Sequence, residues 1–248
     1  MGIEGLLKFL APIVERKHVS VYRGKKVAID AYIWYMLVLW RLHRIIKGRC
    51  IEEIYSNHSN QLTTKLVNTC ICYINQFHRM GVELLMVFDE AKLPIKQGEE
   101  EVRERFIIAK RREREESRKQ AEDLAEKGQE DAAMKKMRDA YEITAQTAYL
   151  LVRELKKQNF PFIVAPYEAD AQLAYLSRNG LVDVVLTGDS DLLVFGARVV
   201  MFKFDCKDFK GEEIRLDRIK EIKSPSSLVD FSHSMFISAG IMNGCDYL

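Results

Sequence analysis

Cysteine chemistry is nearly absent from these 248 residues. The five cysteines, Cys50, Cys70, Cys72, Cys206 and Cys245, form no Cys-x-x-Cys pair and sit beside no histidine cluster. An odd, scattered set of this kind argues against a disulfide framework and against a structural zinc site. Reduced thiols in an intracellular compartment are the expectation. Charge of one sign is also lacking, with 38 basic residues against 36 acidic ones and a net charge of +2. So mild a balance names no partner. Long hydrophobic runs are missing as well. The opening MGIEGLLKFLAPIVERKH is too short in its apolar stretch for a signal or a membrane span, and Glu4 interrupts its start. The expectation is a soluble protein with no membrane partner. No Gly-x-x-x-x-Gly-Lys-Ser/Thr loop and no Gly-x-Gly-x-x-Gly follows a strand, which argues against an NTPase or a dinucleotide enzyme. There is no Gly-x-Ser-x-Gly elbow. Asp30 lacks the acidic partner two residues on that an aspartyl-phosphate phosphatase uses, because position 32 is Tyr.

What is present suits one α/β domain with a full core, at 48% hydrophobic and 30% charged residues. Short apolar runs rich in β-branched residues read as buried strands at Lys26–Asp30, Leu84–Asp89, Phe162–Ala165, Val182–Thr187 and Val199–Phe204. Apolar on both faces, they predict a central, mostly parallel sheet flanked by helices. Helices are expected at Ile33–Ile46, Leu62–Met80, Asp139–Gln158 and Glu168–Asn179, the last stopped by Asn179-Gly180. The stretch Lys96–Arg138 differs, with 13 Lys/Arg against 12 Asp/Glu and few large apolar residues. On composition it is a solvated helical hairpin or a disordered insertion. As a helix it would carry many i,i+4 ion pairs and could project from the body.

The acids carry the chemistry. Asp30 and Asp89 end the first two strands, Glu168 and Asp170 follow the third, and Asp189 and Asp191 follow the fourth. In an open parallel sheet, ligands bind at the carboxyl ends of the strands. Residues i and i+2 in extended backbone point the same way, so each acid-x-acid pair aims at one place. Taken singly, each acid could instead be a helix N-cap or an Asx turn. Taken together they would repel, by about 4 kcal/mol for two charges 4 Å apart at an effective dielectric near 20. Raised pKa values or bound cations would relieve that. An all-oxygen donor set selects a hard ion, Mg²⁺ or Mn²⁺.

These residues also resemble a known family. MGIEGLLKFL, KVAIDAYIW, LLMVFDEAKLP, IVAPYEADAQLAYL, DSDLLVFG and the terminal GCDYL resemble, in order and spacing, the successive motifs of the structure-specific 5′ nucleases. These are the flap endonucleases and their relatives, and the wording is closest to the exonuclease 1 branch. The resemblance spans the chain and is loosest from about Leu37 to Thr69. It implies the PIN-like 5′ nuclease fold with a charged helical arch. The implied layout is a single nuclease domain over 1–248, with an N-terminal region to about 98, an arch over about 96–138 and an internal region over about 139–248. The family's downstream helix–two-turn–helix, which grips duplex DNA with a bound K⁺, lies outside these residues. The chain is therefore expected to be a fragment or a short member.

The resemblance also implies roles. Asp30, Asp89, Glu168, Asp170, Asp189, Asp191 and Asp246 fall on the family's metal-binding acids. Lys96 and Arg103 fall on the basic pair that reaches the scissile phosphate. Gly2 matches the family's buried N-terminal glycine near the active site. Tyr32, Tyr35, Met36, Arg111 and Arg112 are candidate DNA contacts. Two departures stand out: Gly188 replaces an outer Glu, and Met36 replaces a base-packing His or Tyr, for which Tyr32 or Tyr35 could substitute. With the seven acids set aside, 29 remain against 38 bases, leaving about +9 to suit a polyanion. Two Mg²⁺ ions about 4 Å apart, replaceable by Mn²⁺, would then support in-line hydrolysis of DNA. The expected activity is 5′→3′ exonuclease with flap cleavage at 5′ ends, nicks, gaps or flaps, in nuclear DNA repair. A monomer is expected, without the family's usual partner-binding tail. The alternatives are a dedicated flap endonuclease and a weakly active DNA-binding relative.

Overall fold

A computed structural model describes residues 2–45, 60–89, 100–129, 132–133, 135–136, 140, 145–223, 230 and 232–245. Side chains at 40, 42–45, 60–62, 100–110 and 145–146 are not among those described. Seven strands form one sheet: β1 (Glu15–His18), β2 (Lys26–Asp30), β3 (Glu83–Phe88), β4 (Phe162–Val164), β5 (Val184–Leu186), β6 (Val199–Asp205) and β7 (Lys210–Arg215). Their order is β1-β7-β6-β5-β2-β3-β4. From β6 to β4 all neighbours are parallel, with Asp30 opposite Val87, Ile29 opposite Leu186 and Phe88 opposite Val164. The α/β class and the mostly parallel sheet expected from the apolar runs are both present.

Of the five expected strands, β2 keeps its expected bounds and the other four have ends shifted by one or two residues. Strands β1 and β7 were not expected. Their sequences, ERKH and KGEEIR, are charged and carry no apolar alternation. They pair antiparallel at one edge, β1 on β7 and β7 on β6. Cross-strand ion pairing joins β1 to β7, while Ile214 of β7 packs into the main core. Lys17 Nζ sits 2.7 Å from Glu213 Oε1, and Tyr22 Oη donates to the other oxygen of the same buried carboxylate.

One face of the sheet is covered by α6 (Ala169–Arg178) and the short α7 (Asp191–Val194), with Ala28, Val87, Val185, Val200 and Phe202 packed against Leu173, Leu176 and Leu192 in one core. Removing such side chains from water contributes about 1.5–3 kcal/mol each. The opposite face carries an aromatic cluster in which Phe77 meets Trp34, Phe204 and Phe209 at centroid distances of 5.5–5.7 Å. Phe202 and Phe204 have the same parity yet face opposite ways. A bulge between Phe202 and Asp205, with Lys203 at φ 47, turns the strand over.

Further α-helices among the described residues are α1 (Leu6–Phe9), α2 (Ala31–Ile45), α3 (Asn60–Arg79), α4 (Glu100–Glu126), α5 (Ala145–Lys157) and α8 (His233–Met242). Helix α6 stops where expected. Gly180 takes φ +67, and the Leu181 N–H returns to the Leu176 carbonyl at 2.9 Å.

The chain groups into two compact units. The first comprises Met1–Trp34, Cys72–Ala91 and Leu155–Leu248, and holds the whole sheet. The second comprises Tyr35–Ile71 and Lys92–Glu154. In the second, the charged segment is helical through α4. An exposed i,i+4 pair, Arg118–Glu122 at 3.4 Å, lies on α4, and Ala121 and Ala133 are buried together beside Leu124. Where it is described, the charged segment is thus helical over Glu100–Glu126 and solvated at Arg118 and Glu122.

Candidate metal centre

Strands β5, β2, β3 and β4 are consecutive in the sheet and parallel, so their carboxyl ends share one edge. The chain leaves β2 for β3 and β4 on one side, then returns to β5 and β6 on the other. That makes the end of β2 a switch point, where open sheets form a crevice. Asp30 is the last residue of β2 and Asp89 follows β3. Glu168 and Asp170 straddle the start of α6 after β4, and Asp189 and Asp191 straddle the turn after β5.

Each acid is positioned by local chemistry. Asp30, 8% exposed, accepts the Tyr32 and Ile33 N–H groups on Oδ1 at 2.7 and 3.2 Å, an N-cap for α2. Asp89 Oδ1 accepts the Ala169 N–H at 2.5 Å, tying the end of β3 to the first turn of α6. Glu168 occupies the N-cap of α6 in extended backbone, with no capping hydrogen bond from its side chain. Asp189 Oδ1 accepts the Asp191 N–H at 3.0 Å, while its own N–H donates to Thr187 Oγ1 at 3.1 Å. Asp191, 2% exposed, receives Cys245 Sγ at 3.6 Å on Oδ2. The capping and Asx-turn readings are thus also true of these residues. They describe one oxygen of a carboxylate and leave the grouping to be explained.

Electrostatics reveal the grouping. Burial pushes the Asp170 carboxyl up to about 8, with Asp30, Asp189, Asp89 and Glu168 adding repulsion. Burial likewise raises Asp30 to about 6, assisted by Asp89 and Asp189 and opposed by its two backbone hydrogen bonds. These carboxylates feel one another across four strand ends, yet among the described residues no three Asp, Glu, His or Cys side chains are drawn into a closed coordination shell. The donor set fits a hard divalent cation. It is all oxygen, and Asp170 Oδ1 is buried without a hydrogen bond.

The other expected residues divide. Asp246 and Lys96 lie outside the described residues, as does the side chain of Arg103, whose backbone is in α4. Arg111 and Arg112 are exposed on α4. Tyr32 is 43% exposed, immediately beyond Asp30. Tyr35 is corrected: it is 1% exposed, with its hydroxyl donating to the Thr147 carbonyl at 2.8 Å. Buried and bonded in this way, it is a core residue rather than a ring open to DNA. Met36 is half-buried, and Gly188 is exposed, with Ile33 Cδ1 3.3 Å from where a Cβ would lie.

Gly2 is exposed rather than buried, but crowded. At φ +91, a Cβ would lie 2.7 Å from Asp189 Oδ1 and collide with Ser190 Oγ. The next residue donates its N–H to that hydroxyl, Ile3 to Ser190 at 2.8 Å. Ser190 is therefore a tether between the N-terminus and the Asp189–Asp191 turn. Its small size, rather than any chemical signature, was all the sequence displayed.

Comparison with known proteins agrees with this geometry. Residues 1–118 match the XPG N-terminal domain and residues 159–246 the XPG I-region. Exonuclease 1 of Oryza sativa subsp. japonica is 35% identical over 248 residues, covering all of this chain and 27% of that protein. The chain thus spans about a quarter of this relative's length. The catalytic core of Rad2 in complex with a DNA substrate has the same fold, at TM-score 0.64 and 20% identity over 99% of this chain and 63% of that one. The Holliday junction-resolving enzyme GEN1 in complex with product DNA and Mg²⁺ gives TM-score 0.52 at 20% identity, over 91% and 43% of the two chains. The chain belongs to the XPG family of structure-specific 5′ nucleases.

Proposed function

We propose that the chain is the catalytic part of a Mg²⁺-dependent 5′→3′ exonuclease acting on double-stranded DNA, with 5′-flap cleavage as a second activity. The observation that carries the proposal is the convergence of Asp30, Asp89, Glu168, Asp170 and Asp189 at adjacent strand ends. They lie close enough for each of the others to raise Asp170. Asp30, Asp89, Glu168, Asp170, Asp189, Asp191 and Asp246 would hold two Mg²⁺ ions, with Mn²⁺ able to replace them. When bound, the ions supply a water activated for attack and a counter-charge for the leaving oxygen.

The chain's own residues then have separable tasks. Asp170 and Asp30 give up the protons that burial and repulsion hold on them, which couples cation binding to proton release. The Asp89 bond to the Ala169 N–H fixes the two halves of the donor set against each other. Lys96 and Arg103 neutralise charge that develops on the phosphate. Tyr32, exposed beside Asp30, offers a ring on which an unpaired base can stack. Contacts to the phosphate backbone position the strand without reading sequence. The terminal nucleotide leaves the stack to reach the acids, at a cost of a few kcal/mol. The place of action is the nucleus, in DNA repair, and the working unit is a monomer.

The test uses 5′-labelled recessed duplex and 5′-flap substrates with Mg²⁺. Release of labelled 5′-mononucleotides supports the exonuclease. A single cut at the flap base with an intact recessed duplex contradicts it in favour of a flap endonuclease, and binding without cleavage contradicts both.

A further inference from the structure

A cavity of about 510 Å³ opens at the other edge of the sheet, where β2, β5 and β6 begin. Lys25 precedes β2, Asp183 precedes β5 and Arg198 precedes β6, while the antiparallel β7 brings Arg215 to the same edge. Along β2 the five steps from Lys25 to Asp30 rise about 3.3 Å each, so roughly 17 Å of strand separates this cavity from the acid cluster. Its volume suits a small ligand, since such sites run from about 300 to 1,000 Å³.

The lining has three chemical parts. Val182, Val184 and Leu216 give it apolar wall, beside Tyr22, whose hydroxyl is committed to Glu213. Of its two carboxylates, Asp217 is engaged on both oxygens and Asp183 on one. Asp217 takes the Arg215 guanidinium at 3.0 and 3.3 Å, and Asp183 accepts the Lys26 N–H on Oδ2 at 2.9 Å. The remaining charges are Lys25 and Arg198, both exposed, and among the described residues neither has a carboxylate partner. Two strand spacings of about 4.8 Å separate their positions, within reach of one anion for side chains of this length.

We infer that this cavity binds a nucleoside monophosphate, with the phosphate between Lys25 and Arg198 and the base along the apolar wall. A bare anion would leave the apolar wall unfilled, and a neutral apolar molecule would leave both cations uncompensated. Amino or hydroxyl donors on the base and sugar meet the open oxygen of Asp183. Guanidinium with phosphate is a charge-assisted pair, the strong kind of hydrogen bond.

The test is calorimetric titration of the full chain in EDTA, which removes divalent cations and leaves the acid cluster repelling phosphate. The probes are dAMP, deoxyadenosine and inorganic phosphate. The expected result is that dAMP binds at least about tenfold more tightly than either of the others, since deoxyadenosine lacks the charged hydrogen bonds and inorganic phosphate the apolar contact. Lys25→Ala and Arg198→Ala, both at exposed positions that spare the core, each weaken dAMP about tenfold or more, while Asp170→Asn leaves it unchanged. Absence of dAMP binding, equal affinity for inorganic phosphate, or binding that survives both cavity substitutions would overturn the inference. So would a changed affinity in Asp170→Asn, above all a tightening as one repelling carboxyl is removed, which would locate the nucleotide at the acid cluster.

Discussion

A carboxylate that burial and four like-charged neighbours push up to about 8 keeps its proton at neutral pH, and Asp170 is that carboxylate. The consequence for stability has a definite sign. Between its ordinary value of 3.8 and about 8, the folded state holds a proton that the unfolded chain has lost, so stability falls as pH rises through that window. Asp30 acts in the same direction over the narrower range from 3.8 to about 6. The metal-free protein is therefore expected to melt at progressively lower temperature from pH 4 to 8, and Asp170→Asn should flatten the upper half of that decline. Mg²⁺ competes with the same protons. Its apparent affinity should rise over pH 6–8, with protons released on binding in calorimetry across buffers of different ionisation enthalpy. An affinity flat in pH would show that these carboxyls do not bind the cation. Gly2 makes a second prediction at this scale. Its φ of +91 and the 2.7 Å approach to Asp189 Oδ1 leave no room for a methyl group. Gly2→Ala should displace the Asp189 turn and lower turnover by about 10- to 100-fold, the scale of a small misplacement at a reacting centre. Unchanged turnover would detach the N-terminus from the centre.

Among the elements, the antiparallel edge shows best what a sequence hides. The central strands announce themselves because both faces are buried, and an apolar run has no other stable place. Strands β1 and β7 are held instead by Lys17 and Tyr22 on the buried Glu213, partners almost 200 residues apart in sequence. No local pattern encodes that pairing. Glu213→Ala should cost about 2–3 kcal/mol by leaving these donors unmatched, read as a lower denaturant midpoint with an unchanged slope. A loss below about 1 kcal/mol would mean that the edge is held by backbone alone. The acids were legible for the opposite reason: each ends a legible strand. The bond from Asp89 to the Ala169 N–H was not, because it joins elements 80 residues apart. The inward turn of Tyr35 was not legible either. Helical spacing gives a residue's face, but which face meets the core depends on what packs there.

On the scale of the whole molecule, the distribution of charge decides more than its sum. A net charge of +2 conceals a negative edge and a positive remainder of about +9 once the seven acids are set aside. Cations at that edge would turn a surface that repels phosphate into one that attracts it, so DNA binding should tighten with Mg²⁺ and weaken with added salt. The most direct measurement is turnover of a 5′-labelled recessed duplex with saturating Mg²⁺ by the unaltered protein, by Asp170→Asn and by Asp189→Asn. The folding of each variant is verified by its melting transition. If the acid cluster holds the reactive cations, both substitutions lower turnover at least about 100-fold while the fold persists. Turnover by either variant within a fewfold of the unaltered protein would contradict the assignment of the acid cluster as the metal centre.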